Sequence, residues 1–176
     1  MNKFNLRDFL RQALAPHAAC FKSTSYDQEN NEYLCQDVTT PDVYDFDAYI
    51  AATYPADKLP ASPDAIYIGH KQLYFIEFKN QTPTQISRDK IQNKFRKGTD
   101  ILKAMLAEFT PRDCKYNFCV VYKATSKPRY FDRRHFEQTA ARFELETINK
   151  ECGNFYDQIH TEDVDFFIRE FKQLRC

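Results

Sequence analysis

The sequence predicts an α/β chain of the α+β kind, with a small mixed β-sheet flanked by helices. Three stretches carry that prediction. Residues 65–68 and 73–78 are near-continuous apolar runs separated by a short break, as in a hairpin buried on both faces. A long amphipathic segment follows, from about residue 83 to 109. Residues 116–122, YNFCVVY, then read as a further buried strand.

The elements can be justified in order. Residues 4–14 place Phe4, Leu6, Phe9, Leu10, Ala13 and Leu14 on one helical face. Residues 22–41 are polar and irregular and allow a short strand at Tyr33–Val38. Residues 42–53 read as a second helix, and the three prolines of YPADKLPASP make the next stretch a loop. After the hairpin, Thr82 as N-cap, Pro83 at the first helical position and Gln85 at the third predict a helix over 83–109. Its core face is Ile91, Phe95, Leu102, Met105, Leu106 and Phe109. Residues 132–149 and 162–174 read as two more helices, the second with Phe166, Phe167, Phe171 and Leu174 inward. With 176 residues, no internal repeat and no boundary, the chain reads as one domain over 1–176.

Composition narrows the function classes. No apolar run approaches the roughly 18 residues that span a membrane. The first twenty residues carry Arg7, Asp8 and Arg11 among their apolar positions, which suits an amphipathic helix better than a secretion signal. A cytoplasmic protein without membrane attachment is therefore expected. The six cysteines form no CxxC pair, so reduced and mostly buried thiols are expected rather than zinc ligands.

A formal net charge of zero conceals an uneven distribution. Residues 1–64 hold 5 Lys/Arg against 10 Asp/Glu, residues 65–135 hold 15 against 6, and residues 136–176 hold 5 against 9. A basic centre between acidic ends suggests a local anion-binding face, or acidic and basic segments that pair in the fold.

Chemistry concentrates at the hairpin. Side chains alternate along a strand, so Glu77 and Lys79 share a face, roughly 7 Å apart, and Phe78 points the other way. If residues 69–72 form a four-residue loop, Ile68 pairs with Leu73 and Asp64 lies opposite Glu77, with Cβ atoms about 5 Å apart. A two-residue loop would shift that register. Two carboxylates so close repel unless one is protonated or a cation lies between them. Their hard oxygens suit Mg²⁺ or Mn²⁺. Such an ion polarises a phosphoryl oxygen, and Lys79 beside it orients or deprotonates the attacking water. The competing reading is a solvated salt bridge at a strand end, which contributes little.

Pro63-Asp64, twelve intervening residues, then Glu77-Phe78-Lys79 resembles the signature of the PD-(D/E)XK nuclease superfamily. The following helix and strand come in that family's order, and the resemblance covers roughly residues 62–122. It implies a restriction-endonuclease-like core in a single nuclease-like domain. It also implies Asp64 and Glu77 as metal ligands together with the backbone carbonyl of Phe78, and Lys79 as the residue assisting the attacking water. The family usually carries a further carboxylate upstream. Glu29, Glu32, Asp42, Asp45 and Asp47 are candidates here, and no pattern singles one out.

Lys90, Lys94 and Lys97 follow i, i+4, i+7 spacing on one flank of the long helix and are candidates for phosphate contact. A second basic stretch, SKPRYFDRRH, adds Lys127, Arg129, Arg133 and Arg134, with Tyr130 and Phe131 able to stack on an unpaired base. The expected function is metal-dependent hydrolysis of phosphodiester bonds, with DNA ahead of RNA as substrate. The alternative keeps the nuclease fold without catalysis and acts by binding nucleic acid or a protein partner, as an immunity protein or inhibitor of a toxin does.

Overall fold

Strand pairing sets the architecture. A computed structural model of the chain describes residues 5–109, 114–124 and 143–173. Six strands form one mixed sheet: Ala18–Ala19 (β1), Val43–Asp45 (β4), Ala65–Ile68 (β5), Gln72–Lys79 (β6), Lys115–Tyr122 (β7) and Gln158–Asp163 (β8), in the order β1-β4-β5-β6-β7-β8. Tyr26–Asp27 (β2) and Glu32–Tyr33 (β3) make a separate antiparallel ribbon. Pairing is antiparallel from β1 to β6 and parallel from β6 to β8. Six helices accompany the strands among the described residues: Leu6–Leu14 (α1), Phe21–Thr24 (α2), Phe46–Thr53 (α3), Arg88–Met105 (α4), Leu145–Glu151 (α5) and Val164–Gln173 (α6). None of the described helices is long and apolar enough to cross a membrane.

The continuous apolar character of β5, β6 and β7 follows from burial on both faces. On one face Ile66, Ile68, Leu73, Phe75, Phe118 and Val120 pack with Leu6, Leu10, Phe46, Ile50, Ile91, Phe95 and Leu102 from α1, α3 and α4. On the other, Tyr67, Tyr74, Ile76, Phe78 and Val121 meet Phe21, Val164 and Phe167 from α2 and α6. Phe95 is the centre of the first layer, its ring 4.7 Å from Phe118 and 5.0 Å from Tyr156.

Several boundaries differ from the sequence expectation, each for a physical reason. Thr82 and Gln85 do bond as a capping box would, with the Thr82 amide donating to Gln85 Oε1 at 3.2 Å. They close only one turn, and Ser87, in extended backbone, caps the helix that begins at Arg88. The helix ends at Met105 rather than 109, and Phe109 still packs on Phe9 at 4.8 Å. The segment expected as one helix over 42–53 is split: Val43–Asp45 pairs with β5, and Asp45 then caps α3 by accepting from the Ala48 amide at 2.8 Å. Of the strand allowed at 33–38 only Tyr33 is strand, as the second residue of β3. The helix expected over 162–174 starts at Val164, because residues 158–163 form β8, which runs parallel to β7 in register with Cys119 opposite His160. Of the helix expected over 132–149, residues 132–142 lie outside the described part, and α5 extends to Glu151.

Candidate functional site: an acid cluster around Lys94

The β5–β6 hairpin keeps the register expected with a four-residue loop, although Gln72 already belongs to β6 and the turn closes on His70 and Lys71. The Gly69 amide donates to the Gln72 carbonyl at 2.9 Å, and Ile68 pairs with Leu73. Ala65 therefore faces Ile76, and continuing the register brings Asp64 opposite Glu77. Asp64 is fixed twice more at that point. Its carbonyl accepts from the Phe46 amide at 3.0 Å, and its Oδ2 accepts from the Phe78 amide at 2.6 Å.

Glu77 lies on the sheet face covered by α4 and is fully buried. Lys79 shares that face, its Nζ 2.6 Å from Glu77 Oε1. Phe78 turns to the opposite layer, its ring 5.8 Å from that of Phe167. The three residues singled out at 64, 77 and 79 thus converge on one side of the sheet.

Lys94 joins them from α4. Its Nζ is 2.9 Å from Asp64 Oδ1, 3.0 Å from Glu77 Oε2 and 3.9 Å from Asp47 Oδ2. Lys94 is expected among the phosphate-contacting lysines; in the fold its ammonium is held inside the acid cluster. Gly98, one turn further along, makes this approach feasible. A Cβ there would sit 2.7 Å from Pro63 Cδ, so only glycine lets α4 lie this close to the segment carrying Asp64. Asp47 comes from the first turn of α3, where Oδ1 accepts from the buried Ser62 hydroxyl. Of the upstream acids considered, Asp47 is the one that reaches the cluster. Glu32 serves elsewhere: its Oε2 accepts from Asn80 at 2.9 Å and Lys123 at 3.1 Å, tying the β2–β3 ribbon to the end of β6.

The electrostatics follow from crowding and burial. Burial, and secondly the charge of Asp64, push the Glu77 carboxyl up to about 7, against the pull of Lys94 and Lys79. Desolvation at the cleft wall likewise raises Asp47, with Lys94 opposing. Burial alone would lower Lys94, but the attraction of Glu77, Asp64 and Asp47 outweighs it and holds the ammonium above the ordinary lysine range. Lys79 meets Glu77 Oε1 at 2.6 Å, while the Lys94 contact on the buried Oε2, at 3.0 Å, is not aligned as a hydrogen bond.

The cluster opens into a cleft of about 610 Å³. Its walls are the 23–29 segment with the tip of the ribbon, Asp45 and Asp47, the end of β6 through Gln81, and Ser87 and Lys90 at the start of α4. Lys90 is thus a cleft residue, whereas Lys97 is exposed on α4 and does not line it. Lys127, Arg129, Tyr130, Phe131, Arg133 and Arg134 lie outside the described residues.

The carboxylate oxygens of Asp64, Glu77 and Asp47 are hard donors of the type a divalent cation takes, and all three acids meet on the Lys94 ammonium. Among the described residues, no group of three His, Cys, Asp or Glu side chains is placed to hold a metal ion; the three acids face the Lys94 ammonium instead. No family model, curated protein or solved structure matches the chain.

Proposed function

We propose that the chain is a metal-dependent phosphodiesterase of the PD-(D/E)XK type, acting on nucleic acid, with DNA preferred to RNA. The observation that carries this reading is the meeting of Asp64, Glu77 and Lys79: both acids lie within 3.0 Å of one ammonium nitrogen, and Lys79 is 2.6 Å from Glu77. An anchored acid pair beside a lysine, at the edge of an open cleft, suits metal-assisted phosphoryl hydrolysis.

In this reading Asp64 and Glu77 hold Mg²⁺ or Mn²⁺, with Asp47 and the Phe78 carbonyl as the further oxygens within the same neighbourhood. Such an ion, held by these residues, would supply charge neutralisation at a phosphoryl oxygen and a more acidic water. The protein's own contribution is positional. The Phe78 amide keeps Asp64 in one rotamer, and β6 fixes Glu77 and Lys79 two residues apart on one face. Lys79 orients the attacking water and offsets the charge that grows on the phosphorus oxygens. Water oxygen adds to phosphorus and sheds a proton to solvent, the bond to the leaving sugar oxygen breaks, and that oxygen takes up a proton from solvent, so the sum is one water added across the P–O bond. Lys90, lining the cleft, meets the flanking phosphates.

The acidic cleft wall favours a second reading. Asp27, Glu29, Asp45, Asp47 and Asp64 line the cleft against Lys79 and Lys90. A nuclease-fold protein that does not cut and instead binds a basic protein partner, in the manner of a toxin's inhibitor, would present such a wall. Incubating supercoiled plasmid, single-stranded DNA and RNA with the protein in Mg²⁺, Mn²⁺ or chelator separates the two. Metal-dependent cleavage supports the enzyme; inert behaviour on every substrate supports the binder.

A further inference from the structure

We infer that Lys94 is an exchangeable plug: its ammonium and a divalent cation occupy the same three-carboxylate position in turn, and the incoming ion releases Lys94 into the cleft. The inference rests on the metal-dependent reading above and concerns how that site is regulated.

Three observations lead to it. The ammonium stands between Asp64 and Glu77 at 2.9 and 3.0 Å, with Asp47 at 3.9 Å, so a single ammonium spans three carboxylates. Glu77 is fully buried, and its Oε2, the oxygen that faces Lys94, has no aligned hydrogen-bond donor, which leaves its lone pairs open to a stronger acceptor of electrons than an ammonium. The Lys94 side chain is 23 % exposed and hangs on a flexible unbranched stem, so it can leave by rotating its own torsions while α4 stays where Gly98 and Pro63 hold it.

The two cations are mutually exclusive at this point. A Mg²⁺ ion draws its oxygens to about 2.1 Å and leaves no room for an ammonium among the same carboxylates. Lys79 is not displaced in the same way, because it approaches the other Glu77 oxygen from the cleft side. The consequence is a site that is charge-compensated before metal arrives. Metal binding then hands the cleft a mobile cation at the point where a phosphate would enter.

Titration calorimetry with MnCl₂ on the wild-type chain and on Lys94→Met tests this without reference to cleavage. The expected result is binding tighter by about tenfold or more in the variant, since a competing unit charge has been removed. In chelator, Lys94→Met should melt below wild type, and Mn²⁺ should restore most of the difference. Amine acylation of wild-type protein read by mass spectrometry adds a test that needs no variant: Lys94 should be protected in chelator and become reactive with Mn²⁺. If wild type binds Mn²⁺ while Lys94→Met binds equally or more weakly, or while Lys94 reactivity stays unchanged, the plug is overturned and the metal-dependent reading survives. If neither protein binds Mn²⁺, both fall together.

Discussion

Glu77 Oε2 and Lys94 Nζ meet at 3.0 Å across the interface between strand β6 and helix α4, with the glutamate fully buried. A buried ion pair of this kind stabilises little by itself, because desolvation offsets the attraction, whereas breaking it strands a charge. The pair is therefore better understood as a poised arrangement than as a staple, and four predictions follow from its surroundings.

Stability should respond to pH through Glu77. Burial pushes its carboxyl up to about 7 in the folded chain, against an ordinary 4.5 when unfolded. Between those values the folded protein binds more protons than the unfolded chain, so this group's contribution is complete below about 4.5 and lost as pH rises through about 7. Urea unfolding in chelator should show wild type losing stability relative to Glu77→Gln across that window. A difference that stays flat or grows with pH contradicts the assignment.

Gly98→Ala should weaken both fold and site. The added methyl meets Pro63 Cδ at 2.7 Å, and relieving that clash must move either α4 or the segment carrying Asp64. Overpacking of this kind costs about 1–3 kcal/mol, more than the ~1 kcal/mol that alanine gains over glycine in a helix. Denaturant midpoints should fall, and Mn²⁺ affinity should fall with them. A stabilised variant would show that the helix approaches less closely than described.

Phe95→Ala should cost about 3–5 kcal/mol by emptying the layer between α4 and the sheet. Its ring contacts Phe118 at 4.7 Å and Tyr156 at 5.0 Å. Urea midpoints measure the loss; a cost below about 1 kcal/mol would mean the layer collapses around the gap.

Asp47→Ala should reduce Mn²⁺ affinity by roughly tenfold without abolishing it, because this acid stands 3.9 Å from the cluster's centre while Asp64 and Glu77 stand at 2.9 and 3.0 Å. Calorimetry decides it: unchanged affinity would remove Asp47 from the ligand set.

The parts of this fold that were legible in the sequence are those set by local pattern. Two apolar runs with a four-residue break fix the hairpin register, and with it the meeting of Asp64 and Glu77. Alternation along β6 then puts Lys79 beside Glu77 and Phe78 in the other layer. What remained hidden depends on long-range packing. Strand β4 has three residues, and β8 carries His160, Glu162 and Asp163; each takes strand form by pairing with an apolar neighbour, not by its own composition. Lys94 looked like one of three similar flank lysines because spacing on a helix says nothing about what lies across from it. The signal that was present is Gly98, an unusual residue for the middle of a helix and four residues from Lys94, which marks a close approach. Asp47 had no such marker, since its role depends on where α3 meets Ser62 and Asp64.

The most direct measurement of the central claim is the rate of supercoiled-plasmid nicking in Mg²⁺ by wild type, Glu77→Ala and Lys79→Ala, with circular dichroism confirming that each variant is folded. The account predicts cleavage by wild type that chelator abolishes, and a fall of about 10²-fold or more in each variant. Wild-type cleavage that persists undiminished in folded Glu77→Ala and Lys79→Ala would contradict it.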